Sequence, residues 1–304
     1  MTTSVIFPAF VNEYSGKEEQ AVNAFKNNFV QLISLASDFL KLDLTGFDFK
    51  ENNFLQDEYK SQCISYLFSC SVSDILKSRK IKPSFVSGYS MGIYAALYYC
   101  GSVTMKEGLL LVKNAWNIIS GVTAEGKYGM GMVIGLNKSD LLNFIHCETE
   151  VEICNQNNQH TFIISGSFQA VERVLLAAKT EGALRANFLP VSKPYHSHFL
   201  VSALPEFAKI VNGLPFRTPE YKYISAIDQQ IIDTAAGLKT EVIKNLSNRM
   251  NWLDTMSKLL ALGTDIFFEC GAGDSLTRNS RFIDGNFKSF SVGKLGNFLD
   301  DVEG

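Results

Sequence analysis

Apolar positions along this chain follow two rhythms, and the rhythms divide it into elements. Val5-Ile6-Phe7 is a short apolar run closed by Pro8, which reads as a buried strand. From about Gly16 to Asp43 the spacing becomes helical, with Ala21, Phe25, Phe29, Leu32, Ile33, Ala36 and Leu40 recurring at three and four. A further helix is predicted from Gln56 to Ser78, with a local reset at Ser71, Ser73 and Asp74. Phe85-Val86-Ser87 is a second strand, and a helical run begins at about Met91. Thr104 with Glu107 three residues on forms a capping-box signature for a helix from Met105 to about Ser120.

The texture changes from about Gly129 to Val191. Strand-like runs at 131–136, 150–155, 161–166 and 186–191 alternate with helical runs at 139–146 and 167–181. That β-α-β-β-α-β order is the ferredoxin-like one. Residues 129–191 are therefore read as an inserted small subdomain, and residues 1–128 and 192–304 as the large one. In the second part of the large unit, Ser202 to Leu214 reads as helix and Tyr221 to Ser225 as strand. Thr234 to Leu262 is helix-rich with an interruption expected at Gly237. Asp265 to Cys270 is a buried strand, Thr277 to Ile283 a short helix, and Phe287 to Val292 a last strand. The expected frame is α/β, with mostly parallel strands.

Composition narrows the function without naming it. The chain has 304 residues, 46% hydrophobic and 19% charged, enough for a full core. A net charge of -3 with scattered Lys and Arg gives no footprint for nucleic acid or an anionic membrane. Six cysteines without a C-x-x-C pair read as reduced core residues of a cytoplasmic protein. The N-terminus lacks the pattern of a signal peptide, and no metal-ligand spacing stands out. Gly271-Ala272-Gly273 has no following Lys-Ser/Thr pair, so it reads as a packing turn rather than a phosphate loop.

The candidate chemistry is Gly88-Tyr89-Ser90-Met91-Gly92. Alone, G-x-S-x-G is a common chance match. Between a strand and a helix it is a nucleophile elbow, with Ser90 exposed at a sharp turn and the new helix offering amide N–H groups to an oxyanion. A serine needs a base within hydrogen-bond reach. Of the four histidines, His146 ends a helix and His160 lies in a polar turn. His196 and His198 follow Ser192-Lys193-Pro194-Tyr195, a proline-marked loop after a strand. His196 is the preferred base and His198 the fallback.

These stretches, together with Phe7-Pro8 at the start and Glu269-Cys270-Gly271-Ala272-Gly273 near the end, occur in an order that resembles the acyltransferase family. That family includes bacterial malonyl-CoA:ACP transacylases and the acyltransferases of polyketide synthases, including free-standing ones. The resemblance implies an α/β-hydrolase-like large subdomain carrying the ferredoxin-like insertion. It also implies a dyad of Ser90 and His196, with the imidazole oriented by the backbone carbonyl of Asn251. The oxyanion hole would be the N–H groups of Phe10 and Met91. Gln62, Ala115, Trp116 and Asn155 would line the substrate cleft, although Asn155 could equally cap a strand end. The implied partners are an acyl carrier protein and acyl-CoA or acyl-ACP, with no cofactor beyond the phosphopantetheine that the substrate brings. A monomer is expected.

Departures from the pattern bear on the cargo. Malonyl-transferring members carry an arginine in the helix after the elbow helix, where it pairs with the free carboxylate. Here that stretch is Val112-Lys113-Asn114-Ala115-Trp116-Asn117, with Ala115 at the position. A carboxylate buried without a cation costs several kcal/mol. The usual Phe-Pro-Gly-Gln-Gly-Ser-Gln opening reads Phe7-Pro8-Ala9-Phe10-Val11-Asn12-Glu13, and the usual His before the nucleophile is Tyr89. The leading expectation is therefore hydrolysis of uncharged acyl groups from carrier proteins in polyketide biosynthesis. The alternative is a malonyl- or acyl-CoA:ACP transacylase, with Lys113 or Lys193 standing in for the arginine. A non-catalytic docking module and a general esterase using Asp140 are weaker readings.

Overall fold

The computed structural model describes residues 1–294 apart from 12, 13, 26, 27, 52 and 55. Asn12 and Glu13 of the opening loop, and residues 295–304 of the expected large unit, lie outside the described residues. The first part of the chain runs β1 (Thr2–Phe7), α1 (Lys17–Ala24), α2 (Phe29–Leu40), α3 (Glu58–Ser78), β2 (Phe85–Gly88), α4 (Gly92–Tyr99) and α5 (Met105–Val122). Next come β3 (Tyr128–Ile134), α6 (Lys138–His146), β4 (Val151–Asn158), β5 (Thr161–Ser167), α7 (Phe168–Thr180) and β6 (Arg185–Phe188). After a 3-10 turn at His198–Ala203 the chain continues with α8 (Leu204–Gly213), β7 (Lys222–Ile224), β8 (Ile231–Ile232), α9 (Ala235–Lys244) and α10 (Trp252–Ala261). It closes with β9 (Thr264–Glu269), α11 (Ser275–Ser280) and β10 (Lys288–Phe290).

The strands form two sheets. The larger has the order β10-β9-β1-β2-β7-β8, parallel except for the antiparallel edge pair of β7 and β8. Val5, Ile6 and Phe7 are fully buried in its centre, as an apolar run in a parallel sheet covered on both faces should be. The smaller sheet is antiparallel with the order β4-β5-β3-β6, the arrangement expected for a ferredoxin-like unit. It has a core of its own, in which Val171, Val174 and Ala178 of α7 pack on Val133, Phe162 and Ile164.

Local chemistry explains most boundaries. Thr104 and Glu107 form the full capping box of α5. The helical run from Gly16 divides into α1 and α2, and α1 begins after Gly16 at φ +83°. Ser71, Ser73 and Asp74 do not interrupt α3; Ser73 Oγ donates to the Ser69 carbonyl, a bond the helix tolerates. Gly237 does not interrupt α9 either. It sits in the first turn, where its N–H donates to the capping Thr234 hydroxyl at 3.1 Å. The break in that region comes later, between α9 and α10. β8, unforeseen, is two residues long and pairs Tyr223 with Ile232 and Ile224 with Ile231.

Candidate active site

β1, β2 and β9 lie side by side in the sheet, and all three end at the same edge. At the carboxyl ends of parallel strands, loops and helix N-termini converge, which is where α/β folds place their ligands. β1 delivers Pro8-Ala9-Phe10, β2 delivers the elbow, and β9 delivers the turn to α11.

The elbow takes its shape from steric necessity. Phe7 pairs with Gly88 across β1 and β2, and the Tyr89 N–H donates to the Phe7 carbonyl at 2.8 Å. A Cβ at Gly92 would run into that same carbonyl oxygen, and one at Gly88 would strike the backbone of Ile93. Only glycine fits at either position. Between them Ser90 has φ +55°, a left-handed conformation costly for a side-chain-bearing residue. The Ser90 carbonyl accepts from Asn245 Nδ2 at 3.2 Å and from the Ile93 N–H at 3.2 Å, so the strained residue is held at both sides.

The loop after β6 brings the imidazole. His196 also has positive φ, +58°, and is 4% exposed. Its N–H donates to the Leu246 carbonyl at 2.9 Å, and the Ser197 hydroxyl donates to the Pro194 carbonyl at 2.6 Å. His196 Nε2 lies 2.7 Å from Ser90 Oγ. Burial holds the imidazole pKa down at about 4, with the backbone carbonyls of Asn248 and Asn245 pulling it partly back up. The ring is therefore neutral near pH 7, and with its proton on Nδ1 it presents Nε2 as an acceptor to the serine hydroxyl. Among the described residues Nδ1 has no hydrogen-bond partner.

This corrects the expected orienting group. The Asn251 carbonyl accepts from the Thr255 N–H at 3.0 Å and from Thr255 Oγ1 at 2.8 Å, and the Asn251 side chain caps α10 through Asp254. It is engaged in starting a helix. The backbone groups that hold the His196 pKa up against burial are those of Asn248 and Asn245, in the segment between α9 and α10. No sequence signal distinguishes these asparagines from their polar neighbours. His198, the fallback base, is turned away, with Nδ1 2.8 Å from Glu152 Oε1 in an exposed pair. Asp140 is exposed on α6 of the small unit.

Met91 follows Ser90 directly, and Phe10 lies in the loop after β1. Neither N–H has an acceptor among the described residues, whereas the next three N–H groups after Met91 are bonded to the Tyr89, Ser90 and Met91 carbonyls or lie within α4. Phe10, Tyr89, Ser90 and His196 share a cavity of about 220 Å³. The small sheet forms its other wall, through Met130, Met132, Asn157 and Ile163. Asn155 ties the two sheets together. Its Nδ2 donates to the Tyr89 hydroxyl at 2.8 Å and its Oδ1 accepts from the Trp252 N–H at 3.1 Å, so it bridges rather than caps. Gln62 Nε2 donates to the Tyr195 hydroxyl at 2.9 Å, beside Glu58, which also accepts from the Ser192 N–H and hydroxyl. Glu58 was not singled out in the sequence; it occupies the first turn of α3 like any helix-start acid.

Comparison with known proteins decides the family. Residues 50–280 match the model of the acyl transferase domain. The chain belongs to the acyl transferase family. Among curated relatives, the malonyl CoA-acyl carrier protein transacylase of Synechocystis is 30% identical over 215 residues, covering 70% of each chain. That of Staphylococcus aureus is 23% identical over 310 residues, covering 99% of this chain and 97% of the relative. Among solved structures, an acyl carrier protein S-malonyltransferase from Vibrio cholerae superposes with a TM-score of 0.87 at 25% identity, covering 99% of this chain and 100% of the other. A malonyl-transacylase of a type II polyketide synthase, determined in complex with its acyl carrier protein, superposes with a TM-score of 0.90 at 24% identity, covering 99% and 100%. The protein is an acyltransferase with the α/β fold of these neighbours. Among the described residues, no helix is long and apolar enough to cross a membrane.

The position where the family resemblance calls for an arginine is Ala115. It lines a second, much smaller cavity behind the dyad, with Trp116, Gln62, Tyr94 and Tyr195. No Lys or Arg lines this cavity or the larger one among the described residues. Lys193, a candidate stand-in, places Nζ 5.5 Å from the centre of the Trp116 ring and donates to Thr123 Oγ1 at 3.2 Å.

Proposed function

We propose that this acyltransferase moves an uncharged acyl group between coenzyme A and an acyl carrier protein through an ester on Ser90. The observation that carries it is the 2.7 Å approach of Ser90 Oγ to the buried, neutral His196 Nε2 at an elbow whose following N–H has no acceptor among the described residues. Ser90 Oγ attacks the thioester carbonyl and passes its proton to Nε2. The N–H groups of Met91 and Phe10 receive the developing oxyanion. The C–S bond breaks, and the leaving thiolate takes the proton from His196. An incoming phosphopantetheine thiol then gives its proton to Nε2 and attacks the ester; the acyl C–Oγ bond breaks, Nε2 returns the proton to Ser90 Oγ, and the new thioester leaves.

The curated relatives are transacylases, and they support transfer over the hydrolysis expected from the missing arginine. Their names specify malonyl. Here Ser90 lines two cavities in which no Lys or Arg occurs among the described residues, and a malonyl carboxylate placed in either would be buried unpaired, at a cost of several kcal/mol. The acyl group is therefore assigned as uncharged. The test supplies acetyl-CoA and malonyl-CoA, each labelled in the acyl group, with a holo acyl carrier protein. Label from acetyl-CoA is expected on the carrier protein. Label appearing only as free acid would return hydrolysis to the lead, and faster transfer of malonyl would overturn the choice of cargo.

A further inference from the structure

Two cavities reach the Ser90 hydroxyl, and they differ more than twentyfold in free volume. The larger, about 220 Å³, lies between the two sheets. It shares Phe10 and Ser275 with an open cleft of about 720 Å³ that carries Lys17, Arg185, Arg278 and Lys294 beside Glu18 and Asp274. The smaller, about 10 Å³, lies behind the dyad, walled by α3, α4, α5 and the loop that bears His196. Ten cubic ångströms of this kind is room for about one water-sized group.

A thioester carbonyl has two substituents, and the cavities can be assigned to them. The sulfur arm is tethered to a nucleotide or a protein that stays outside, so it takes the larger cavity, which adjoins the cleft through Phe10 and Ser275. The acyl group is left with the smaller one. We propose that the pocket behind Ser90 restricts the acyl group to acetyl, with the Trp116 indole as the wall that stops longer chains. The inference rests on the acyl-transfer reading above and adds a size limit to it.

Trp116 is fastened in place. Its ring stacks on Tyr59 with centroids 5.9 Å apart and planes 15° from parallel, and the Lys193 ammonium sits over it. The adjoining wall, Tyr195, is fixed through its hydroxyl to Gln62 and Glu58. A chain longer than acetyl must displace a stacked indole or a hydrogen-bonded tyrosine. Each surplus methylene against a rigid pocket costs roughly ten- to a few-hundredfold in rate.

The test follows ester formation on the intact protein by mass spectrometry, with acetyl-, butyryl- and hexanoyl-CoA. In the unaltered protein acetyl is expected to exceed hexanoyl by on the order of a hundredfold or more. In Trp116→Leu and Trp116→Ala that ratio should fall by at least about tenfold. Thermal melting identifies which variant is folded, and the folded variant carries the comparison. Equal acetyl and hexanoyl rates in the unaltered protein, or an unchanged ratio in a folded variant, would overturn the size limit alone. An acetyl ester that never passes to carrier protein would overturn transfer and leave the size limit standing. Absence of an ester with every thioester would overturn both.

Discussion

Ser90 and His196 are both side-chain-bearing residues in left-handed backbone, and each has its strain held by a bond to the segment between α9 and α10: Asn245 Nδ2 to the Ser90 carbonyl, and the His196 N–H to the Leu246 carbonyl. Strain maintained at two facing residues suits a pre-positioned reaction centre. The depressed histidine pKa fixes the direction of two effects. The base must be neutral to work, so the acylation rate should stay level from neutral pH down to about 5 and fall with a midpoint near 4. Stopped-flow acylation across that range checks it; a midpoint near 6.5 would mean that the imidazole is solvated. For stability, the unfolded chain, with its imidazole pKa near 6.5, binds the proton more tightly than the folded one. This group's contribution is full above about 6.5 and is lost as pH falls toward 4. His196→Ala should slow acylation by roughly a hundred- to ten-thousandfold.

At the scale of elements, the elbow joins β2 to α4 only because two positions lack a Cβ. Gly92→Ala would push a methyl group into the Phe7 carbonyl and force β1 and α4 apart. An overpacked site of this kind costs roughly 1–3 kcal/mol, so the variant should melt several degrees lower and lose acylation, as calorimetry and ester formation would show. α9 carries a second titrating group. Glu241 is 3% exposed, accepts from the Ser225 hydroxyl at 3.0 Å, and has its pKa pushed up to about 7 by burial. A carboxyl group raised in the folded state contributes stability that is full below about 4.5 and is lost as pH rises through 7. Glu241→Gln should remove that fall, and denaturant midpoints between pH 5 and 8 would show a flatter profile than the unaltered protein. These elements were unequally legible. Strand β1, the elbow and the capping box announce themselves through short-range patterns. The end of α9 does not: nothing in Lys244-Asn245-Leu246-Ser247-Asn248 says which carbonyls will face an imidazole fifty residues away in sequence. Asn251 looked suited to that role, but its position before α10 commits its carbonyl and side chain to starting the helix.

At the scale of the whole molecule, the site exists because two sheets with separate cores face each other across one cavity. The elbow after β2 of the large sheet carries Ser90; the loop after β6 of the small sheet carries His196, and the small sheet also supplies a wall and the Asn155 bridge. The order of elements along the chain was enough to foresee the small sheet, whose strands follow one another closely, and the parallel character of the large one; it did not give the large sheet's strand order, which pairs β1 with β9 across almost the whole chain. The sizes of the cavities were not foreseeable, because they depend on how Trp116, Tyr59 and Tyr195 pack after folding. The absence of a cation at Ala115 was visible in the sequence. That no other Lys or Arg among the described residues lines the two cavities needed the structure.

The most direct test is the mass of the intact protein after brief exposure to acetyl-CoA, alongside Ser90→Ala. One acetyl group is expected on the unaltered protein, located on the peptide containing Ser90 and removed when holo carrier protein is added, with none on the variant. Acetylation that persists in Ser90→Ala, or an unaltered protein that gains no mass while still transferring acetyl to the carrier, would contradict an ester on Ser90.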